Sequence, residues 1–102
     1  MCGIAGSWTR NGKTSDGERL RASLKAIYHR GPDDSGEFTW HVPASKGRVD
    51  LGLARLAILD LSPAGHQPMT IPSGRYTISF NGEITNFIEL RDELRALGDS
   101  FI

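Results

Sequence analysis

Three short apolar stretches lie between two amphipathic helical patterns in this chain, with no helical pattern to separate them. Strands that follow one another without a helical crossover pair antiparallel, so the order of elements restricts the fold to an α+β arrangement of antiparallel sheets. The first helical pattern places Leu20, Leu24, Ile27 and Tyr28 at i, i+4, i+7 and i+8 on one face. Ser15 with Glu18 reads as its capping box, and Gly31-Pro32 ends it. In the second, Asn86 with Glu89 repeats the capping signature; Phe87, Leu90, Leu94 and Leu97 mark an inner face, and Gly98 closes it. Between them, Phe38, Trp40 and Val42 alternate with polar residues over 37–42, a loop spans 43–47, and 49–60 reads as an apolar strand that bends. Residues 62–74 carry three prolines and two glycines and read as loop. Tyr76, Ile78 and Phe80 then alternate up to Asn81-Gly82. Ahead of the first helix, residues 3–8 read as a strand and Asn11-Gly12 as a turn.

Composition narrows the function classes. With 12 basic and 12 acidic residues in 102, the formal charge is zero and no block of like charge stands out, which argues against nucleic acid as a partner. No apolar run reaches the roughly 18 residues of a membrane span, and the N-terminus lacks the pattern of a signal peptide. A single cysteine forms no internal disulfide and fits a reducing cytoplasm.

Four segments carry more chemistry than packing needs. Cys2 follows the initiator Met1; removal of that methionine leaves a thiol and a free α-amine on one residue, a nucleophile with its own base. The plain alternative is a small buried thiol. Asn81-Gly82 reads as a hairpin turn, yet it leads toward a helix, and an amide beside an unhindered N–H makes a pair of oxyanion donors. Arg55 lies in an apolar run; its planar fork suits either a substrate carboxylate or a structural ion pair. Glu83 reads as an acceptor for an amine or as an acid near a helix start. The Arg30–Gly36 turn, with two Asp able to cap backbone N–H groups, reads as a support from behind. A metal site from Cys2, His29, His41 and His66 matches no zinc spacing.

Taken together, MCGIAG, HRGPDDSG, RLAILDLSPAGHQPM and FNGEITNF resemble the glutaminase domain of asparagine synthetase and its relatives, the class II glutamine amidotransferases within the N-terminal-nucleophile hydrolases. The resemblance implies an αββα sandwich of antiparallel sheets. It implies that Cys2 forms a γ-glutamyl thioester from glutamine and releases ammonia. Asn81 and the Gly82 backbone would form the oxyanion hole. Arg55 would bind the α-carboxylate, the backbone of Ile58 and Leu59 would line the pocket, and Glu83 would help hold the α-amine. It implies no metal or cofactor in this domain. ATP and magnesium would serve a C-terminal synthetase domain that activates the ammonia acceptor, whose identity stays open among aspartate-like carboxylates, sugars and other metabolites. A homodimer is compatible with the family.

The chain also departs from the family pattern. Leu53-Ala54 stand where a His or another polar residue often precedes the Arg-Leu pair, and Thr85 stands for the usual Tyr. The Ser-Asp segment that completes the α-amine site, and the synthetase signature, are absent from residues 1–102. Asp99 does not match that segment and is not assigned. The expectation is therefore the N-terminal part of a truncated glutaminase domain that exposes apolar sheet surface. The competing expectation is a non-catalytic fragment that only packs or assembles.

Overall fold

A computed structural model of the protein describes residues 1–10 and 17–101. The mixed α/β architecture has two antiparallel sheets. Its elements are β1 (Gly3–Thr9), α1 (Glu18–Ala26), β2 (Asp34–His41), β3 (Arg48–Arg55), β4 (Met69–Thr70), β5 (Thr77–Ile78) and α2 (Phe87–Ala96). β3 is the centre of the main sheet, flanked by β1 and β2 in the order β1-β3-β2, both antiparallel to it. β4 and β5 form a separate two-stranded ribbon.

Register assigns the faces. Gly3 pairs with Ala54, Ala5 with Gly52 and Ser7 with Asp50, while Glu37 lies across from Gly52 on the other side. Strand side chains alternate between faces, so these residues share one. The helix α1 packs there: a methyl at Gly52 would press on both Leu20 and Leu24. Small residues at 3, 5, 52 and 54 let the helix approach, and Arg21 reaches over to Glu37 at 3.0 Å.

Farther along the same face sits a buried charge. Asp50 is 4% exposed and accepts hydrogen bonds from Arg48 Nε at 2.9 Å, Thr39 Oγ1 at 2.6 Å and Ser7 Oγ at 3.4 Å. One acid thus ties all three strands together. Burial alone pushes its carboxyl pKa upward; the Arg48 and Thr39 hydrogen bonds and the Arg48 charge outweigh that and hold it below the ordinary value. The opposite face carries Leu53, fully buried, and Ile4, Trp8 and Trp40, which stay largely open to solvent.

Several expectations are corrected. The second strand begins at Asp34, three residues early, because Asp34-Ser35-Gly36 pair with β3 despite having no apolar alternation. β3 ends at Arg55 rather than bending on to Asp60: Ile58 and Leu59 are 70% and 86% exposed in a loop. The 62–74 loop contains β4, and the strand expected over 76–80 keeps ladder pairing only at Thr77-Ile78. Asn86 stands at the start of α2 but its side chain makes no capping bond, so the second capping box does not form. The expected inner face of α2 buries none of its residues. Its C-terminus is as read: Gly98, at φ 100°, lets the Gly98 and Asp99 N–H groups return to the Arg95 and Leu94 carbonyls. Ser15 and the Asn11-Gly12 turn lie outside the described residues.

Asp50 yields a pH prediction. A carboxyl with a lowered folded pKa adds stability above its ordinary value of 3.8, and that stability is lost as pH falls through the folded pKa. Asp50→Asn should therefore melt below the wild type at neutral pH by about 1–3 kcal/mol of unfolding free energy, because the charge-assisted hydrogen bonds that the buried carboxylate accepts are weakened. The gap should close as the pH falls below 3.8 in melts run from neutral to acid. A gap that does not change with pH would rule out this role for the Asp50 charge.

Candidate active site

β1 and β3 bring Cys2 to the site. Gly3 opposite Ala54 leaves Cys2 just beyond the ladder, beside the first residues after Arg55. There the Leu56 N–H donates to Cys2 Sγ at 3.3 Å, and the thiol faces the Leu56 carbonyl at 3.7 Å. These two contacts fix the sulfur against the Leu56 peptide. Cys2 is half-buried and is the free cysteine of the chain.

Two donors converge on the Cys2 carbonyl oxygen: Arg30 Nε at 3.1 Å and Asn81 Nδ2 at 3.0 Å. The second bond joins the end of the β5 segment to the start of β1, so the Asn81 amide lies next to the nucleophile. The Asn81-Gly82 segment forms no hairpin turn among the described residues.

Arg55, the last residue of β3, is buried and has found partners in the loop after it. Its Nη1 donates to the Ser62 carbonyl at 2.9 Å and its Nη2 to the Asp60 carbonyl. A methyl at Gly65 would overlap the guanidinium, so the glycine leaves the space the fork occupies. The charge among apolar neighbours is thus met by backbone carbonyls, and the Asp60 carboxylate also attracts it through space. Asp60 itself is held below its ordinary pKa by hydrogen bonds from Ser62, the hydroxyl first and the backbone N–H second.

All seven residues singled out from the sequence, Cys2, Arg55, Ile58, Leu59, Asn81, Gly82 and Glu83, line one open cavity of about 710 Å³. That volume lies in the range of small-molecule sites. Ile58 and Leu59 border the cavity and are largely exposed.

The structure adds partners that the sequence did not give. Asp33 Oδ2 accepts from the Ala57 N–H at 2.9 Å, and the Asp33 N–H donates to the Arg55 carbonyl at 3.1 Å; together they brace the cavity wall. Of the two Asp in the turn, this one caps a backbone N–H as expected; Asp34 instead pairs with His66 Nδ1 at 2.7 Å. Arg30 and Gln67 also support the site through backbone atoms. Bonds to backbone leave no residue-type signature, and only the motif context pointed to these segments. Among the described residues no group of three or more His, Cys, Asp or Glu is placed to hold a metal ion, and no helix is long and apolar enough to cross a membrane.

The family model described as a glutamine amidotransferase domain matches residues 1–102. The chain is 40% identical to asparagine synthetase [glutamine-hydrolyzing] 1 of Bacillus subtilis, with 99% of this chain and 15% of that protein covered. It is also 40% identical to the putative asparagine synthetase [glutamine-hydrolyzing] 2 of Methanocaldococcus jannaschii, over 91% of this chain and 20% of that protein. Amidase chry2 of Gibberella zeae is 35% identical over 98% of this chain and 16% of its own. The chain therefore spans 15–20% of the length of these relatives. No solved structure matches it.

The brace at Asp33 is open to a direct check. Asp33→Ala should speed amide hydrogen exchange at Ala57 by about five-fold, equal to the roughly 1 kcal/mol net worth of one hydrogen bond. Exchange in α1 should stay as it was. Unchanged exchange at Ala57 would remove Asp33 from the wall.

Proposed function

Because this chain belongs to the glutamine amidotransferase domain family, we propose that its cavity hydrolyses the side-chain amide of glutamine to glutamate and ammonia, with Cys2 as nucleophile. The observation that carries the reading is the meeting of Cys2, Arg55 and Asn81-Gly82-Glu83, from three separate segments, on one cavity.

In this reading, loss of Met1 frees the Cys2 α-amine. Its reference pKa of about 7.7–8.0 leaves part of it neutral near pH 7, ready to take the thiol proton. The Leu56 N–H, donating to Sγ at 3.3 Å, orients the sulfur. Sulfur attacks the side-chain carbonyl carbon of glutamine; the C–S bond forms as the π pair moves onto oxygen. Asn81 Nδ2 and the Gly82 N–H receive the oxyanion. Collapse breaks the C–N bond, the leaving nitrogen takes the proton from the Cys2 ammonium, and ammonia departs. Water then attacks the thioester, giving glutamate and the free thiol. Arg55 holds the α-carboxylate: its two bonds to loop carbonyls use two of the guanidinium's five N–H donors. Glu83 offers the opposite charge to the α-amine, with the backbone of Ile58 and Leu59 between them.

We assign the sheet of β1, β3 and β2 to one layer of an αββα sandwich of the N-terminal-nucleophile type. α1 covers one face, and the open face with Ile4, Trp8 and Trp40 is the kind of surface a second sheet covers. By analogy with the names of its relatives, the ammonia goes to a carboxylate activated in a synthetase domain; ATP and magnesium belong to that domain, and no step here passes through them. A reducing cytoplasm is the compartment that keeps such a thiol free.

In the full chain, Cys2→Ala should abolish glutamate release from glutamine. Asn81→Ala should lower kcat by about 10²–10³-fold with a smaller change in KM, the size expected for one oxyanion donor. Arg55→Lys should mainly raise KM, because an ammonium lacks the fork. Glutamate release that survives Cys2→Ala would sink the proposal.

A further inference from the structure

The oxyanion pair sits on backbone that no sheet holds. β5 ends at Ile78, and Asn81-Gly82 come three residues later. Phe80 lies between, outside the ladder, and its N–H is met by a side chain: Gln67 Oε1 accepts from it at 2.6 Å. Phe80 in turn constrains Gly82. Its ring lies directly against that glycine, where an added methyl would come within 2.8 Å of the ring carbon Cζ. Moving Phe80 therefore moves the Gly82 N–H, and with it the neighbouring Asn81.

Gln67 is itself firmly held. A methyl at Gly36 of β2 would overlap the Gln67 carbonyl oxygen, so the loop lies flat on the strand at a position only glycine permits. One residue earlier, His66 Nδ1 meets Asp34 Oδ2 at 2.7 Å, a second tie to β2. The edge of the main sheet thus reaches, through residues 66 and 67, to the segment that carries the donors. Gln67 is half-buried and borders the same cavity.

We propose that Gln67 is a positioning residue for this reaction: its side-chain oxygen fixes the Phe80 backbone and so sets the Asn81 and Gly82 donors against the nucleophile. It acts through Phe80 and takes no part in the chemistry. The inference rests on the glutaminase reading, and the experiment separates the two.

The decisive comparison uses Gln67→Leu, Gln67→Asn and Gln67→Glu in the full chain. Leu removes the acceptor, Asn is one methylene short, and Glu keeps the oxygen in place. Leu and Asn should each lower kcat for glutamate release by about ten-fold or more, with KM for glutamine within about two-fold, since donors a fraction of an ångström out of place lose mainly transition-state contact. Glu should recover most of that kcat. Alkylation of Cys2 by iodoacetamide should keep its wild-type rate in all three, because the nucleophile is not touched. If Gln67→Leu does not fold, the contrast of Asn with Glu decides. An active wild type whose kcat is unchanged by Asn and Leu, or a Glu variant as impaired as Asn, overturns this inference alone. A wild type with no glutaminase activity overturns the underlying reading, and this inference with it.

Discussion

The register of β1 on β3 is the constraint on which the rest depends. Gly3 opposite Ala54 is what sets Cys2 beside Leu56 and within reach of Asn81. A slip of one residue would turn every side chain of β1 to the other face and bring Ile4, rather than the small Gly3 and Ala5, under the helix. The register is fixed by that pattern: small residues under α1, apolar residues on the opposite face, and Ser7 paired across to Asp50. The Asp50 cluster adds a polar tie among β1, β2 and β3 that a slipped strand could not satisfy.

From that sheet outward, the site is held by backbone contacts. Arg30 and Asn81 share the Cys2 carbonyl, Asp33 braces the Ala57 N–H, and Gln67 takes the Phe80 N–H. Each joins segments far apart in sequence, and each leaves side chains in the cavity free to face a substrate. Arg55 follows the same rule in reverse: its charge is stabilised by loop carbonyls, so the loop that lines the cavity is shaped around the group that would bind the substrate carboxylate.

How much of this is legible in the sequence varies with the kind of signal. The apolar face of α1 is legible in Leu20 and Leu24, which pack on the strand beneath, whereas Ile27 and Tyr28 follow a helix that ends at Ala26 and Tyr28 stays exposed. Residues 56–59 read as strand since an apolar run signals burial, whereas here the chain leaves the sheet to build a cavity wall. β4 gives no signal: two residues in a stretch of prolines and glycines carry no periodicity. The face of α2 that reads as inner has periodicity but is left exposed; pattern alone reports that a face is apolar and not what covers it. The motif residues stand out as a set, and the structure gathers that set in one place. That Asp33 caps a backbone N–H is legible from its turn, but which N–H it takes, and the roles of Arg30 and Gln67, are not, because the partners are backbone atoms chosen by three-dimensional placement and not by residue type.

The central claim is that Cys2, at the mature N-terminus, is the nucleophile of a glutamine site. It is tested most directly by intact-mass analysis of the full chain after exposure to a glutamine analogue bearing an electrophilic carbon in place of the side-chain amide. The expected result is one covalent adduct, on a chain that begins at Cys2, mapped to Cys2 by peptide sequencing and suppressed by excess glutamine. An adduct that ignores glutamine, or none at all where iodoacetamide still alkylates the thiol, would contradict it.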